Sequence, residues 1–137
     1  MLVELAKTEA DPDSPDLTEA EKAASARAVV NLLARWEVSD DQACRLLGGL
    51  SPRTWARWKK GEPGRIDRDL ATRLSLLLGI HKALRIVFGA DRARAYAWIK
   101  APNDAFGGES ALGVMLRGPL MSLHRIRAYL DAERGGW

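Results

Sequence analysis

Ser39-Asp40-Asp41-Gln42-Ala43-Cys44-Arg45-Leu46-Leu47-Gly48-Gly49-Leu50-Ser51-Pro52-Arg53-Thr54-Trp55-Ala56-Arg57-Trp58-Lys59-Lys60-Gly61 is the stretch on which the reading of the whole chain rests. Ser39 and Gln42 make a capping box, in which each side chain satisfies a backbone N–H that a helix start leaves unpaired. The spacing predicts a short helix that ends with Leu46 and Leu47 before Gly48-Gly49. A second start follows at once. Ser51 can cap, and Pro52 takes the first helical position, where a missing N–H costs nothing. That helix runs to Lys60 and stops at Gly61, with Pro63-Gly64 turning the chain. Two short helices are thus joined by a tight glycine turn, with Leu50 as a plug.

The second of these helices has two chemically distinct faces. Trp55 and Trp58, three residues apart, share the face turned to the core, while Arg53, Thr54 and Arg57 fall on another. Lys59 and Lys60 crowd the C-terminal turn, where positive charge suits the helix dipole. A rod backed by indoles and studded with guanidinium groups is what the major groove of double-stranded DNA accepts. Arg53 and Arg57 are the candidates for base edges, and Thr54 for a thymine methyl or a phosphate. Arg45, Lys59, Lys60 and Arg65 are the candidates for phosphates. Charge along the chain agrees, since residues 1 to 30 carry a net charge of −4 and residues 45 to 73 a net charge of +5. A polyanion meets the middle segment first.

Outward from this unit the chain reads as helices throughout, so the expected fold class is all-α. Residues 1 to 16, with Pro12, Pro15 and a run of acids, read as a flexible acidic arm. Thr18 and Glu21 form another capping box, Leu17 can add a staple, and Ala26, Val29, Val30, Leu33 and Trp36 follow as one apolar stripe. Asp67 caps a long helix with Leu70, Leu74, Leu77, Leu78, Ile80, Leu84, Val87 and Phe88 as apolar positions, which Gly79 either bends or divides. Further helices start at Asp91, Ser110 and Gly118-Pro119, with a break at Pro102-Asn103. The expected organisation is a helix-turn-helix domain over residues 17–78 and a small helical lobe over 79–137.

Several classes are disfavoured. No apolar run is long enough to span a membrane, and the charged opening residues lack a signal-peptide core, so the expected location is the cytoplasm. Cys44 is the only cysteine and sits within an amphipathic pattern. His81 and His124 are scattered, which leaves no metal-ligand cluster, and glycine-rich phosphate loops are missing. The expectation is a protein that is not an enzyme and holds no cofactor.

The second half carries a resemblance. Ala95-Tyr96-Ala97-Trp98-Ile99-Lys100-Ala101-Pro102-Asn103-Asp104-Ala105-Phe106-Gly107-Gly108-Glu109-Ser110-Ala111-Leu112 is similar to the core motif of the toxin-binding domain in the Xre/MbcA/ParS antitoxin family. Residues 50 to 62 resemble that family's helix-turn-helix, and 74 to 88 its linking helix. The likeness covers about residues 25 to 137, with Ala111 where the family pattern has proline. It implies an antitoxin that neutralises a RES-domain, NAD-depleting toxin and represses its own operon. By the same resemblance Trp98, Pro102, Asn103, Phe106, Gly108, Ser110 and Leu112 build the toxin-binding fold. Independently of the resemblance, Asn103 after Pro102 can close an Asx turn with Trp98 packed beneath it. The terminal stretch adds Arg127, Arg134 and Trp137, which either enter the toxin's cleft or form a solvated end. A homodimer is expected, because one short helix-turn-helix buries little area on DNA. Two other readings stay open on the sequence: an interaction module whose helix-turn-helix is only structural, and a stand-alone regulator.

Overall fold

The computed structural model describes residues 17–135, and all regular structure there is helical. The helices are α1 (Glu19–Arg35), α2 (Asp40–Leu46), α3 (Pro52–Lys59), α4 (Arg68–Phe88), α5 (Arg92–Lys100), α6 (Ala111–Met115) and α7 (Leu120–Glu133), with a 3-10 turn at Asp104–Phe106. Their boundaries follow from local chemistry. Thr18 Oγ1 accepts from the Glu21 amide at 3.1 Å while the Glu21 carboxylate accepts from the Thr18 amide at 3.0 Å. The hydrogen bond from the Thr18 amide, and then the Thr18 hydroxyl, hold the Glu21 carboxyl below the usual carboxylate range. Ser39 and Gln42 repeat the box at 3.1 and 2.9 Å. Ser51, Asp67, Asp91 and Ser110 each accept a backbone N–H three residues on, at 2.9 to 3.1 Å. Ala111 therefore opens α6 under a serine cap without the proline of the family pattern.

Helix α4, 21 residues and about 30 Å long, is the spine. Helices α1, α5 and α7 pack on it, α3 packs on α1 and α2, and α6 bridges α5 and α7. One contiguous core results, running from Ala26 to Leu130. Gly79 does not divide α4, which runs unbroken from Arg68 to Phe88. It lets the Arg127 guanidinium of α7 lie on the helix, since a Cβ there would come within 2.6 Å of that group. The expected apolar stripe needs one correction at its end. Val87 is 36% exposed and Ile86 47%, because their side of the last turn faces solvent, while Leu76, outside the expected stripe, is buried. The two halves are also tied by polar bonds. Arg45 Nη2 donates to the Leu116 carbonyl at 3.0 Å, and Lys100 Nζ to the Glu37 carbonyl at 3.1 Å. No described helix is long and apolar enough to cross a membrane.

Candidate functional site

Helix α3 stands with its indoles inward. Trp55 is 4% exposed and Trp58 1%, their rings 6.3 Å apart. The anchor is chemical as well as apolar. Trp55 Nε1 donates to Asp40 Oδ1 at 2.9 Å, and Lys59 Nζ reaches both oxygens of the same carboxylate at 3.0 Å. The Trp55 hydrogen bond, then that of Lys59, holds the Asp40 carboxyl below its usual range. Asp40 is the first residue of α2, so one side chain fixes the angle between α2 and α3.

The opposite face is cationic. Arg53, Arg57, Lys60 and Arg65 are exposed, and none is paired with a carboxylate among the described residues. Arg57 lies along the turn that follows, its Nη2 2.5 Å from where a Cβ on Gly64 would sit. Thr54 is half-buried, with its hydroxyl accepting from Ser51 at 2.9 Å inside the cap. Two of the expected phosphate contacts have internal duties: Arg45 holds Leu116, and Lys59 is balanced by Asp40.

Arg73, one of the cations behind the +5 of residues 45 to 73, is turned inward. It is 7% exposed, with Nε 3.2 Å from Asp69 Oδ2 and Nη1 donating to the Leu46 carbonyl at 3.4 Å. Its guanidinium lies where a side chain on Gly48 would be, so the glycine turn between α2 and α3 is braced from below by an arginine. The sequence offers little signal for this, because the partners lie 27 residues apart.

In the second half, Pro102 and Ser110 form an isolated antiparallel bridge around a compact loop. Asn103 Oδ1 accepts from the Ala105 amide at 2.9 Å, closing the Asx turn, and the Asn103 carbonyl accepts from the Gly108 amide at 3.0 Å. Gly107 and Gly108 take φ of 68° and 90°, which side chains avoid. Phe106 and Leu112 are buried. Trp98, half-buried, stacks on Tyr129 at 6.0 Å and meets Phe106 edge-on at 6.2 Å. Tyr129 touches Phe106 at 5.1 Å, and Arg125 sits over the Phe106 ring at 5.4 Å. Tyr129 and Arg125 thus complete an aromatic cluster that the motif alone leaves open.

The arginines of α7 do not share one exposed face. Arg125 and Arg134 are exposed, whereas Arg127 is half-buried over Gly79 with its Nε 3.7 Å from Asp131 Oδ2. Packing on α4 takes it inward, against the expected exposed position. Arg134 Nη1 pairs with Asp131 Oδ1 at 3.4 Å. Trp137 and the arm of residues 1 to 16 lie outside the described residues. Cys44 is buried, and burial, followed by the charges of Asp40 and Asp41, pushes its thiol up. Among the described residues no three His, Cys, Asp or Glu side chains cluster as metal ligands.

Comparison with known proteins gives two family matches in chain order. Residues 16–79 match the antitoxin Xre-like helix-turn-helix domain, and residues 83–136 match the antitoxin Xre/MbcA/ParS C-terminal toxin-binding domain. A protein of Sinorhizobium fredii (strain NBRC 101917 / NGR234), the uncharacterized protein y4oB, is 43% identical over 123 residues, covering 90% of this chain and 94% of its own length.

Proposed function

The chain belongs to the Xre/MbcA/ParS-like antitoxin family, and from that premise we propose that it neutralises a RES-domain toxin encoded beside it and represses their shared operon. The observation that carries the DNA half is α3, with Trp55 and Trp58 buried while Arg53, Arg57 and Lys60 face outward. Guanidinium groups fixed on a short rigid helix reach base edges in the major groove, while Lys60 and Arg65 reach the backbone. Two copies on paired half-sites supply the area that one α3 lacks, so the active repressor is a homodimer. The 17–78 segment then reads DNA and the 79–137 segment holds the toxin, with the loop of Pro102, Asn103, Gly108 and Ser110 as scaffold for the Trp98, Phe106 and Tyr129 rings. Half-exposed aromatic rings flanked by arginine are the side chains that anchor protein interfaces.

The test separates the two activities. Arg53→Ala with Arg57→Ala is expected to remove about 2 to 6 kcal/mol of binding to the duplex upstream of the gene, at least about 30-fold in affinity. Co-purification with the toxin from the adjacent gene is expected to be unchanged. Wild-type affinity for that duplex should also fall steeply with salt. A double variant that binds the duplex as tightly as wild type removes α3 from the role of reader.

A further inference from the structure

A cavity of about 20 Å³, open to solvent on one side, lies where the end of α1, the last turns of α4 and the start of α5 meet. Its wall brings together Arg35, His81, Arg85, Arg92 and Tyr96. Arg35 comes from the segment matched as the helix-turn-helix domain, and Arg85, Arg92 and Tyr96 from the toxin-binding segment. Among the described residues, no hydrogen bond or ion pair holds the side chain of Arg35, Arg85 or Arg92. Elsewhere in the chain the inward cations are neutralised, Arg73 by Asp69 and Arg127 by Asp131. Here three exposed arginines from three helices line one mouth, and none is paired with a carboxylate among the described residues. In addition, His81 Nδ1 is shielded from solvent and has no hydrogen-bond partner among the described residues. Burial first, and then the charges of Arg85, Arg35 and Arg92, hold the imidazole below its ordinary range.

We propose that this pocket is a binding site for a small oxyanion of the phosphate class, seated at the seam of the two halves. The chemistry is specific. Guanidinium forks match the tetrahedral oxygens of phosphate, and three unpaired ones repel each other until an anion arrives. The cavity has room for about one water-sized group. One phosphate oxygen enters it toward His81 and the rest of the ion stays at the mouth among the arginines. The site is separate from α3 and does not depend on its reading as a DNA reader. Because both matched segments contribute arginines, a bound anion clamps them together, and it stabilises the fold by binding the native state alone.

The experiment is an NMR titration of the whole chain with inorganic phosphate, against chloride at equal ionic strength. Saturable shifts confined to the amides of His81, Gly89, Ala90 and Tyr96, together with a raised thermal midpoint, are expected. Arg85→Gln with Arg92→Gln should weaken the binding at least about tenfold, since each lost guanidinium removes a charge-assisted bond. Both positions are exposed, so the fold is retained; Arg35→Gln, on another helix, gives an independent second variant. Shifts that chloride reproduces, or that spread over basic residues generally, overturn the site. So does unchanged phosphate binding in both variants. Absence of phosphate binding combined with weaker binding of duplex DNA by the variants also overturns it, and would assign these arginines to the DNA surface.

Discussion

The two aromatic clusters of the chain are built from similar residues and do opposite things with them. In the α2–α3 unit the indoles are swallowed, Trp58 completely and Trp55 with its N–H tied to Asp40, so the helix they carry presents no aromatic ring to solvent and an outer face dominated by cations. In the second half Trp98 and Tyr129 stack parallel, inclined by 14°, yet both stay half-buried, and Arg125 lies over Phe106 at the same surface. A buried ring spends its apolar area on stability, and a half-exposed one leaves apolar area for a partner. That difference distinguishes a surface suited to a polyanion from one suited to a protein.

The sharpest way to break the comparison is to delete a ring from each side. Trp58→Ala is expected to cost about 3 to 5 kcal/mol, the loss of a large, fully enclosed side chain. Tyr129→Ala should cost well under that and act mainly on toxin affinity. Urea denaturation of both variants reads the contrast, and equal losses would mean that the second cluster is core like the first.

The turn before α3 supplies the next largest effect. Gly48 sits at φ +78°, a conformation that costs other residues roughly 1 to 2 kcal/mol, and the Arg73 guanidinium occupies the space a Cβ would need. Gly48→Ala should therefore lower stability by about 2 kcal/mol and loosen α2 against α3. Gly79→Ala makes the control. There the backbone is helical, alanine gains about 1 kcal/mol of helix propensity, and the obstacle is the far end of Arg127, a flexible chain that can swing aside. Its stability is expected to stay within about 1 kcal/mol of wild type. A large loss would show that Arg127 is as fixed as Arg73.

These two glycines mark how far the sequence could be read. Helix starts and turns set by neighbours within four residues were legible: the capping boxes at Thr18 and Ser39, the caps at Ser51, Asp67 and Ser110, the Asx turn at Asn103, and the inward side of α3. What escaped is long-range. No periodicity says that Arg73 folds under Gly48, that Arg45 reaches a carbonyl 71 residues away, or that Lys59 is balanced by Asp40. Each was a basic residue in a basic stretch, and a charge count cannot tell a cation facing solvent from one braced inside. Val87 escaped for a related reason, since a helical stripe does not announce where its packing neighbours end.

Asp40 carries the smallest predicted effect and the finest distinction. Its carboxyl is held below the usual range by Trp55 and Lys59, so its contribution to stability is present above the unfolded-state pKa and lost as pH falls through the folded one. Asp40→Asn keeps an oxygen for the Trp55 N–H and abolishes the charge. The thermal midpoint of wild type should exceed that of the variant near about pH 7, and the gap should close on acidification below the carboxylate range. A gap that persists unchanged at low pH would show that the charge of Asp40 is not what joins α2 to α3. The same substitution releases Lys59 to the outer face, which should steepen the salt dependence of duplex binding by about one phosphate contact. If the salt slope stays put, Lys59 lies outside the DNA surface, and the cationic face of α3 reduces to the residues that no internal carboxylate holds.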